Sequence, residues 1–187
     1  MGKELSSGEN PAIDEGREDA PLGAQGGKFL TFFLGAEEYG LEILRVFEII
    51  GMLSITPVPR TPAFIRGVVN LRGKVIPVVD LRLKFGMEPI RDTEETCIIV
   101  VQFRGAEMGI VVDRVSEVLT IPAAQIDEPP AFGPDINTDY ILGIGKTEGK
   151  VKPILDIQRV LAAQGTVDIG LAKGTEAGQP GAETLAA

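Results

Sequence analysis

The stretch FIRGVVNLRGKVIPVVDL, residues 64–81, returns later in the chain as YILGIGKTEGKVKPILDI, residues 140–157. The two copies align without a gap at an offset of 76 residues and share a Gly-Lys-Val turn, a proline and an aspartate at matching positions. Residues 40–49 likewise match residues 109–118 at an offset of 69, and the blocks keep the same order in each half. The core is therefore predicted to contain two copies of one small unit.

Short segments rich in β-branched residues fill both copies, and Gly or Pro separates many of them. They predict strands over residues 29–34, 43–50, 67–71, 75–79, 97–103, 107–112, 115–121, 140–145 and 151–155. A unit of about 65 residues buries only about 60% of its unfolded surface, so the two copies are expected to share a core. Short strands with such turns favour barrels, and we place the first at about residues 28–90 and the second at about 91–164.

Two short helices are predicted over residues 81–85 and 157–163, because each follows an aspartate suited to an N-cap. Asp80 and Asp156 are also the obvious carboxylate pair for catalysis, but helix capping is enough to account for both. The predicted class is all-β with a few short helices.

The two ends of the chain differ in composition from the middle. Residues 1–27 are rich in Gly and acidic residues and residues 165–187 in Gly, Ala and Thr, so both are predicted to be disordered tails. The net charge is −9, and no basic patch appears, which disfavours nucleic-acid binding. No apolar run approaches the roughly 20 residues that span a bilayer, and no signal peptide is visible. We expect a cytoplasmic protein without direct membrane insertion.

The residues needed for common enzyme chemistry are missing. The chain has no histidine and one cysteine, Cys97, which excludes imidazole bases, Cys/His zinc clusters and an internal disulfide. The segment 143–147, GIGKT, resembles the end of a phosphate loop, but the loop's first glycine is replaced by Tyr140. We therefore predict no catalytic residue, no cofactor and no metal site.

Surface recognition remains as the role of several side chains. Arg72 lies at a predicted tight turn, either as a solvated cation or as a guanidinium placed for a partner. Val46 and Glu48 have the same parity in a predicted strand and should share a face, while Val118 lies in the matching strand of the second copy. Each valine faces either the core or a partner. Phe132, in a proline-rich loop, either caps the core or anchors a partner.

The segments YGLEILRV (39–46), PAFIRGVVNLRG (62–73) and VIPVVDLR (75–82) together resemble the CheW family. GIVVD (109–113) and VSEVL (115–119) continue the resemblance, which covers about residues 29–161. It implies two packed five-stranded SH3-like barrels within one domain at residues 28–164. The fold name comes from the family, and the duplication agrees with it.

The resemblance also implies a function. Members of the family are non-catalytic adaptors that bind the cytoplasmic tips of chemoreceptors and the regulatory domain of the histidine kinase CheA. Couplers and kinase domains alternate in rings beneath the receptor array, so other copies of the coupler are candidate partners too. The expected location is the cytoplasm, with recruitment to membrane receptor arrays.

The family's receptor-contact positions map onto Val46, Glu48, Arg72 and Val118, all present in the expected residue type. Phe132 is carried over as a kinase or ring contact. Two alternatives stay open: a coupler for a non-flagellar chemosensory pathway, and a barrel that binds a small molecule. A pocket lined by paired acidic groups would favour the latter, and an open apolar groove beside Arg72 and Glu48 would favour the adaptor.

Overall fold

The computed structural model describes residues 25–134 and 136–165. In these ranges the chain forms eleven strands and two short α-helices. The first copy contains β1 (Gly26–Leu34), β2 (Glu37–Glu42), β3 (Val46–Gly51), β4 (Ile65–Leu71), β5 (Lys74–Asp80) and α1 (Leu81–Lys84). The second contains β6 (Cys97–Phe103), β7 (Ala106–Val112), β8 (Arg114–Pro122), β9 (Ile126–Asp127), β10 (Ile141–Thr147), β11 (Lys150–Leu155) and α2 (Ile157–Ala162).

The ends of the predicted domain differ slightly from the observed ones. Gly26 and Gly27 belong to β1, so the strand begins before the predicted boundary at residue 28. The rest of the two predicted tails, residues 1–24 and 166–187, lies outside the described residues. Among the described residues, no helix is both long and apolar enough to cross a membrane.

The local structure follows the repeat closely. The Asp80 carboxylate accepts a hydrogen bond from the Leu83 backbone N–H at 3.1 Å. The Asp156 carboxylate accepts from the backbone N–H groups of Gln158 and Arg159 at 3.0 and 3.2 Å. Both aspartates therefore cap helices, as predicted. Strand β2 was not predicted, because its sequence EEYGLE combines acidic residues and a glycine that have low β propensity.

The strands pair across the two copies rather than within them. One sheet has the order β8-β1-β2-β11-β10-β9 and the other the order β3-β6-β7-β5-β4. The hairpin β1–β2 therefore joins the second copy, and the hairpin β6–β7 joins the first. Each exchanged hairpin attaches through one parallel pair, β2 with β11 or β7 with β5, and one antiparallel pair, β1 with β8 or β6 with β3.

This exchange corrects the predicted barrel boundaries. The sheets do not divide the chain near residue 90, because each barrel takes its first hairpin from the other copy. The repeat shows which strands are equivalent, but equivalent hairpins can pair with either copy. Exchange also gives each small unit a large interface with the other, which suits units too small to be stable alone.

Each sheet closes on itself in the same way. The segment after β3 returns to β4, where Thr56 and Val68 exchange two backbone hydrogen bonds of 2.9 Å. Strand β9, which follows β8, pairs with β10 at the equivalent place. A Cβ at Gly67 would lie 2.1 Å from the Thr56 carbonyl oxygen, and one at Gly143 would lie 2.6 Å from Ile126 Cγ2. The repeated glycine is therefore needed for barrel closure.

Within the part of the chain that the structure describes, three apolar clusters stabilise the fold. The largest draws on both sheets and includes Phe32 and Tyr39 from one and Ile99 and Ile110 from the other. Each barrel also has its own interior cluster, around Ile98 in the five-stranded sheet and around Phe29, Ile121 and Ile154 in the six-stranded one. The predicted all-β class, with two packed barrels and a few short helices, is confirmed.

Candidate functional site

Arg72 lies in the tight turn between β4 and β5. Its φ is 53° and that of Gly73 is 84°, so both central residues are left-handed, as in a type I′ hairpin turn. The Asn70 side-chain oxygen accepts a hydrogen bond of 2.8 Å from the Gly73 N–H and fixes the turn. The turn holds Arg72 at the tip of the hairpin formed by β4 and β5.

Arg72 forms a two-pronged ion pair with Glu48 on β3. Its Nη1 donates to Glu48 Oε2 at 3.1 Å, and its Nη2 donates to Oε1. These hydrogen bonds lower the pKa of Glu48, so the carboxylate is charged at neutral pH. The Arg72 side chain is 65% exposed, so the pair adds little to stability but orients both groups. A guanidinium has five donors, and two bonds to Glu48 leave others for a partner.

Val46 and Glu48 do not share a face, which corrects the prediction from parity. Val46 pairs with Val101 and Glu48 pairs with Val100, so Phe47 is the extra residue of a β-bulge. Val101 belongs to the cluster between the sheets, and Val46 packs against that cluster. Val100 belongs to the interior of the five-stranded barrel. The bulge therefore turns Val46 toward the centre of the molecule and Glu48 toward Arg72.

Val118 lies on β8 in the other sheet, opposite Leu30, and is 51% exposed. A matching bulge precedes it, and the Thr31 hydroxyl holds that bulge by hydrogen bonds with the Glu117 backbone. The structure therefore joins Arg72 and Glu48 directly and places Val118 on a separate edge strand.

Sequence reasoning missed several exposed apolar side chains near Val46. Leu44 is 90% exposed, Phe47 59% and Ile49 43%. Phe47 and Ile49 lie on β3 and Leu44 in the turn just before it, and exposed apolar groups so close in the chain mark a surface that another molecule can cover. The repeat could have pointed to Ile49, because the offset of 69 makes Ile49 the equivalent of Val118, which is one of the predicted receptor contacts.

Phe132 lies in the loop between β9 and β10 and is half-buried. Partial burial fits a residue that caps the core and equally one that anchors a partner. Its assignment as a kinase or ring contact stays a prediction.

The groups available for chemistry are few. Within residues 25–134 and 136–165, no three Cys, Asp or Glu side chains lie together as metal ligands would. Cys97 is buried, and burial raises the pKa of its thiol. The thiol is therefore protonated at neutral pH and packs as a small apolar group.

Known proteins resemble the chain over the same region. A family model described as CheW-like domain matches residues 28–165. The chemotaxis protein CheW of Klebsiella aerogenes is 42% identical over 139 residues, covering 74% of this chain and 84% of that protein. The chemotaxis protein CheW of Helicobacter pylori is 37% identical over 134 residues, covering 72% of this chain and 81% of that protein.

A solved structure agrees with these sequence matches. The scaffolding protein TtCheW from Thermoanaerobacter tengcongensis superposes with a TM-score of 0.68 at 38% identity, covering 75% of this chain and 96% of that chain. The family match includes both barrels and the segments that carry Arg72, Glu48 and Val118. The chain belongs to the CheW family.

Proposed function

We propose that the chain is a non-catalytic chemotaxis adaptor that couples chemoreceptors to the histidine kinase CheA. Its relatives are named chemotaxis proteins, and its structural neighbour is called a scaffolding protein. The observation that carries the proposal is the Arg72–Glu48 pair, in which Glu48 orients the guanidinium and is flanked along β3 by the exposed side chains of Phe47 and Ile49.

The proposed receptor-binding residues are Val46, Glu48, Arg72 and Val118. The exposed Val118 side chain would pack against the apolar part of a receptor's helical tip, and Val46 would contribute with the part of its side chain that is not packed against the central cluster. The charges of Arg72 and Glu48 would orient the tip and exclude receptors with mismatched charges. Because no bond is made or broken, the adaptor can transmit a signal only by binding two states of the kinase with different affinity.

Phe132 is the proposed contact to the kinase regulatory domain or to a neighbouring coupler in a ring. Its loop connects β9 and β10 of the six-stranded sheet, whereas Arg72 and Glu48 lie in the five-stranded sheet. Two separate surfaces would let one chain hold a receptor and a kinase at the same time. The proposed location is the cytoplasmic face of membrane receptor arrays.

The proposal is tested by titrating the protein with a chemoreceptor tip fragment and with the CheA regulatory domain from its own organism. Arg72→Ala is expected to weaken receptor binding about tenfold or more, because a charged hydrogen-bonding group at an interface is lost. Kinase binding should not change.

Lys74→Ala is the matched control, since Lys74 lies on the same hairpin, is 60% exposed and pairs with Glu107. It should leave both affinities unchanged. A wild-type protein that binds neither partner would contradict the adaptor function itself. Equal losses of receptor affinity from Arg72→Ala and Lys74→Ala would instead show that Arg72 has no specific role in receptor binding.

A further inference from the structure

A fully buried lysine binds the stretch of chain that follows α2. Lys84, the last residue of α1, is 1% exposed. Its Nζ donates to the carbonyl oxygen of Ala163 at 2.5 Å and to the carbonyl oxygen of Gly165 at 2.7 Å. These hydrogen bonds join the end of α1, which follows the five-stranded sheet, to the segment after α2, which follows the six-stranded one. None of the three residues has a place in the proposed function.

The partners of the Lys84 ammonium are two carbonyl groups and an aromatic ring. A lysine has three N–H donors, of which two are used by the carbonyls, and the centre of the Phe64 ring lies 4.0 Å from Nζ, within the range of a cation–π interaction. Burial lowers the pKa of Lys84, because a charge in the interior is costly unless such groups replace its water. The buried ammonium therefore depends on residues 163–165 for its acceptors.

The internal repeat shows that packing alone does not require a lysine here. At the offset of 76 the equivalent of Lys84 is Val160 on α2, which is fully buried in the cluster between the two sheets. The equivalent of Phe64 is Tyr140, and both rings pack against that same cluster. A small apolar side chain fills the position in the second copy, so the ammonium of the first copy has a separate task, which is to bind the segment after α2.

The segment bound by Lys84 lies at the end of a very short helix. Helix α2 has six residues, and so short a helix is held mainly by tertiary contacts. Ala163 has already left the helical conformation, since its ψ is 133°, although its N–H still donates to the Arg159 carbonyl oxygen at 3.1 Å. The hydrogen bonds from Lys84 therefore supply a contact that α2 cannot provide from its own backbone.

We propose that residues 163–165 form a strap across the seam between the two barrels, and that Lys84 holds this strap closed. Phe64 and Ala163 come from different copies and both pack against the cluster that joins the sheets, so the strap lies at one edge of the seam. An open strap returns the ammonium to water and leaves every strand pair intact. The strap can therefore open locally while both barrels stay folded. The inference does not depend on the proposed function.

The closed strap is tested on the unaltered full chain by acetylation with acetic anhydride, followed by mass spectrometry of each lysine. Lys84 can react only while the strap is open, so it should be acetylated at least about tenfold more slowly than Lys74. Lys74 is the internal reference because its side chain is 60% exposed. Equal rates at the two lysines would mean that the strap does not cover Lys84, and the proposal would be wrong.

The role of Lys84 is tested by amide hydrogen exchange in Lys84→Met, which keeps the length of the side chain and removes its three donors. Exchange at the Ala163 amide should become about tenfold faster or more, because two charged hydrogen bonds to the strap are lost. Exchange at the Ile154 amide, in the middle of the six-stranded sheet, should keep its rate. Lys74→Met is the matched control and should change neither amide.

Two results of the exchange experiment would overturn the proposal. An unchanged rate at Ala163 would show that Lys84 does not hold the strap. Equal acceleration at Ala163 and Ile154 would show that Lys84 contributes only to global stability and that the strap does not open by itself. Lys84→Val, which copies Val160 of the second copy, should repeat the result of Lys84→Met, and the acetylation measurement stands even if both variants fail to fold.

Discussion

At the scale of single residues, the interior of the six-stranded barrel contains a buried ion pair. Lys152 Nζ donates to Glu38 Oε2 at 2.7 Å, and the two side chains are 7% and 11% exposed. Burial alone would raise the pKa of Glu38, but the hydrogen bond and the charge of Lys152, with the neighbouring hydroxyls of Thr31 and Ser116, lower it overall. The first copy has Ile76 where the second has Lys152.

Removing one partner of this pair should therefore cost much more than removing both. Lys152→Met leaves Glu38 charged without a partner, and we expect a loss of about 3 kcal/mol in the free energy of unfolding. The double variant Lys152→Ile with Glu38→Leu should recover most of that loss. Urea unfolding at neutral pH measures both, and a double variant as unstable as the single one would contradict the role of the unpaired charge.

The same pair makes stability depend on pH. Because the pKa of Glu38 is lower in the folded state than its ordinary value of 4.5, its contribution is complete above that value. The contribution is lost as pH falls below 4.5 through the folded pKa. Wild type should therefore lose more stability than the double variant between pH 5 and pH 3. If the free energies of unfolding of the two proteins change in parallel with pH, Glu38 is not the source of the pH dependence.

At the scale of elements, barrel closure depends on a glycine that approaches another strand. Gly67→Ala should destabilise the fold by about 3 kcal/mol, since its Cβ would lie 2.1 Å from the Thr56 carbonyl oxygen. Gly149→Ala is the control, because its φ is 75° but nothing lies within 4 Å of its Cβ. It should cost only about 1 kcal/mol. Equal losses in urea unfolding would mean that backbone conformation, and not the close approach, governs both sites.

The bulges in β3 and β8 are a second feature at this scale, and alternation of residues along a strand does not predict them. Alternation along β3 predicted one face for Val46 and Glu48, but one extra residue at Phe47 placed them on opposite faces. No local signal marks the bulge, because it depends on how β3 aligns with β6. The ion pair between Glu48 and Arg72 follows from the bulge, so both residues could be named as candidates from the sequence, but their contact could not.

At the scale of the whole molecule, the exchanged hairpins should make the two barrels unfold together. Ile98→Ala removes a fully buried side chain from the interior of the five-stranded barrel, and we expect a loss of about 3 kcal/mol. Hydrogen exchange should show an equal loss of protection at Ile154 in the other barrel. Val75→Ala, at an exposed position, is the control and should change neither. Loss of protection in one barrel alone would contradict cooperative unfolding.

The sequence by itself determined the class of fold, the duplication, the two capped helices, the turn at Arg72 and the family. These features depend on residues that are close together in the chain or on patterns repeated along it. Only the tertiary structure decided the hairpin exchange and the opposite faces of Val46 and Glu48. Both features depend on which distant segments pair with each other. Because the two copies are equivalent, a hairpin can pair with either of them, and packing in the folded molecule determines which one it joins.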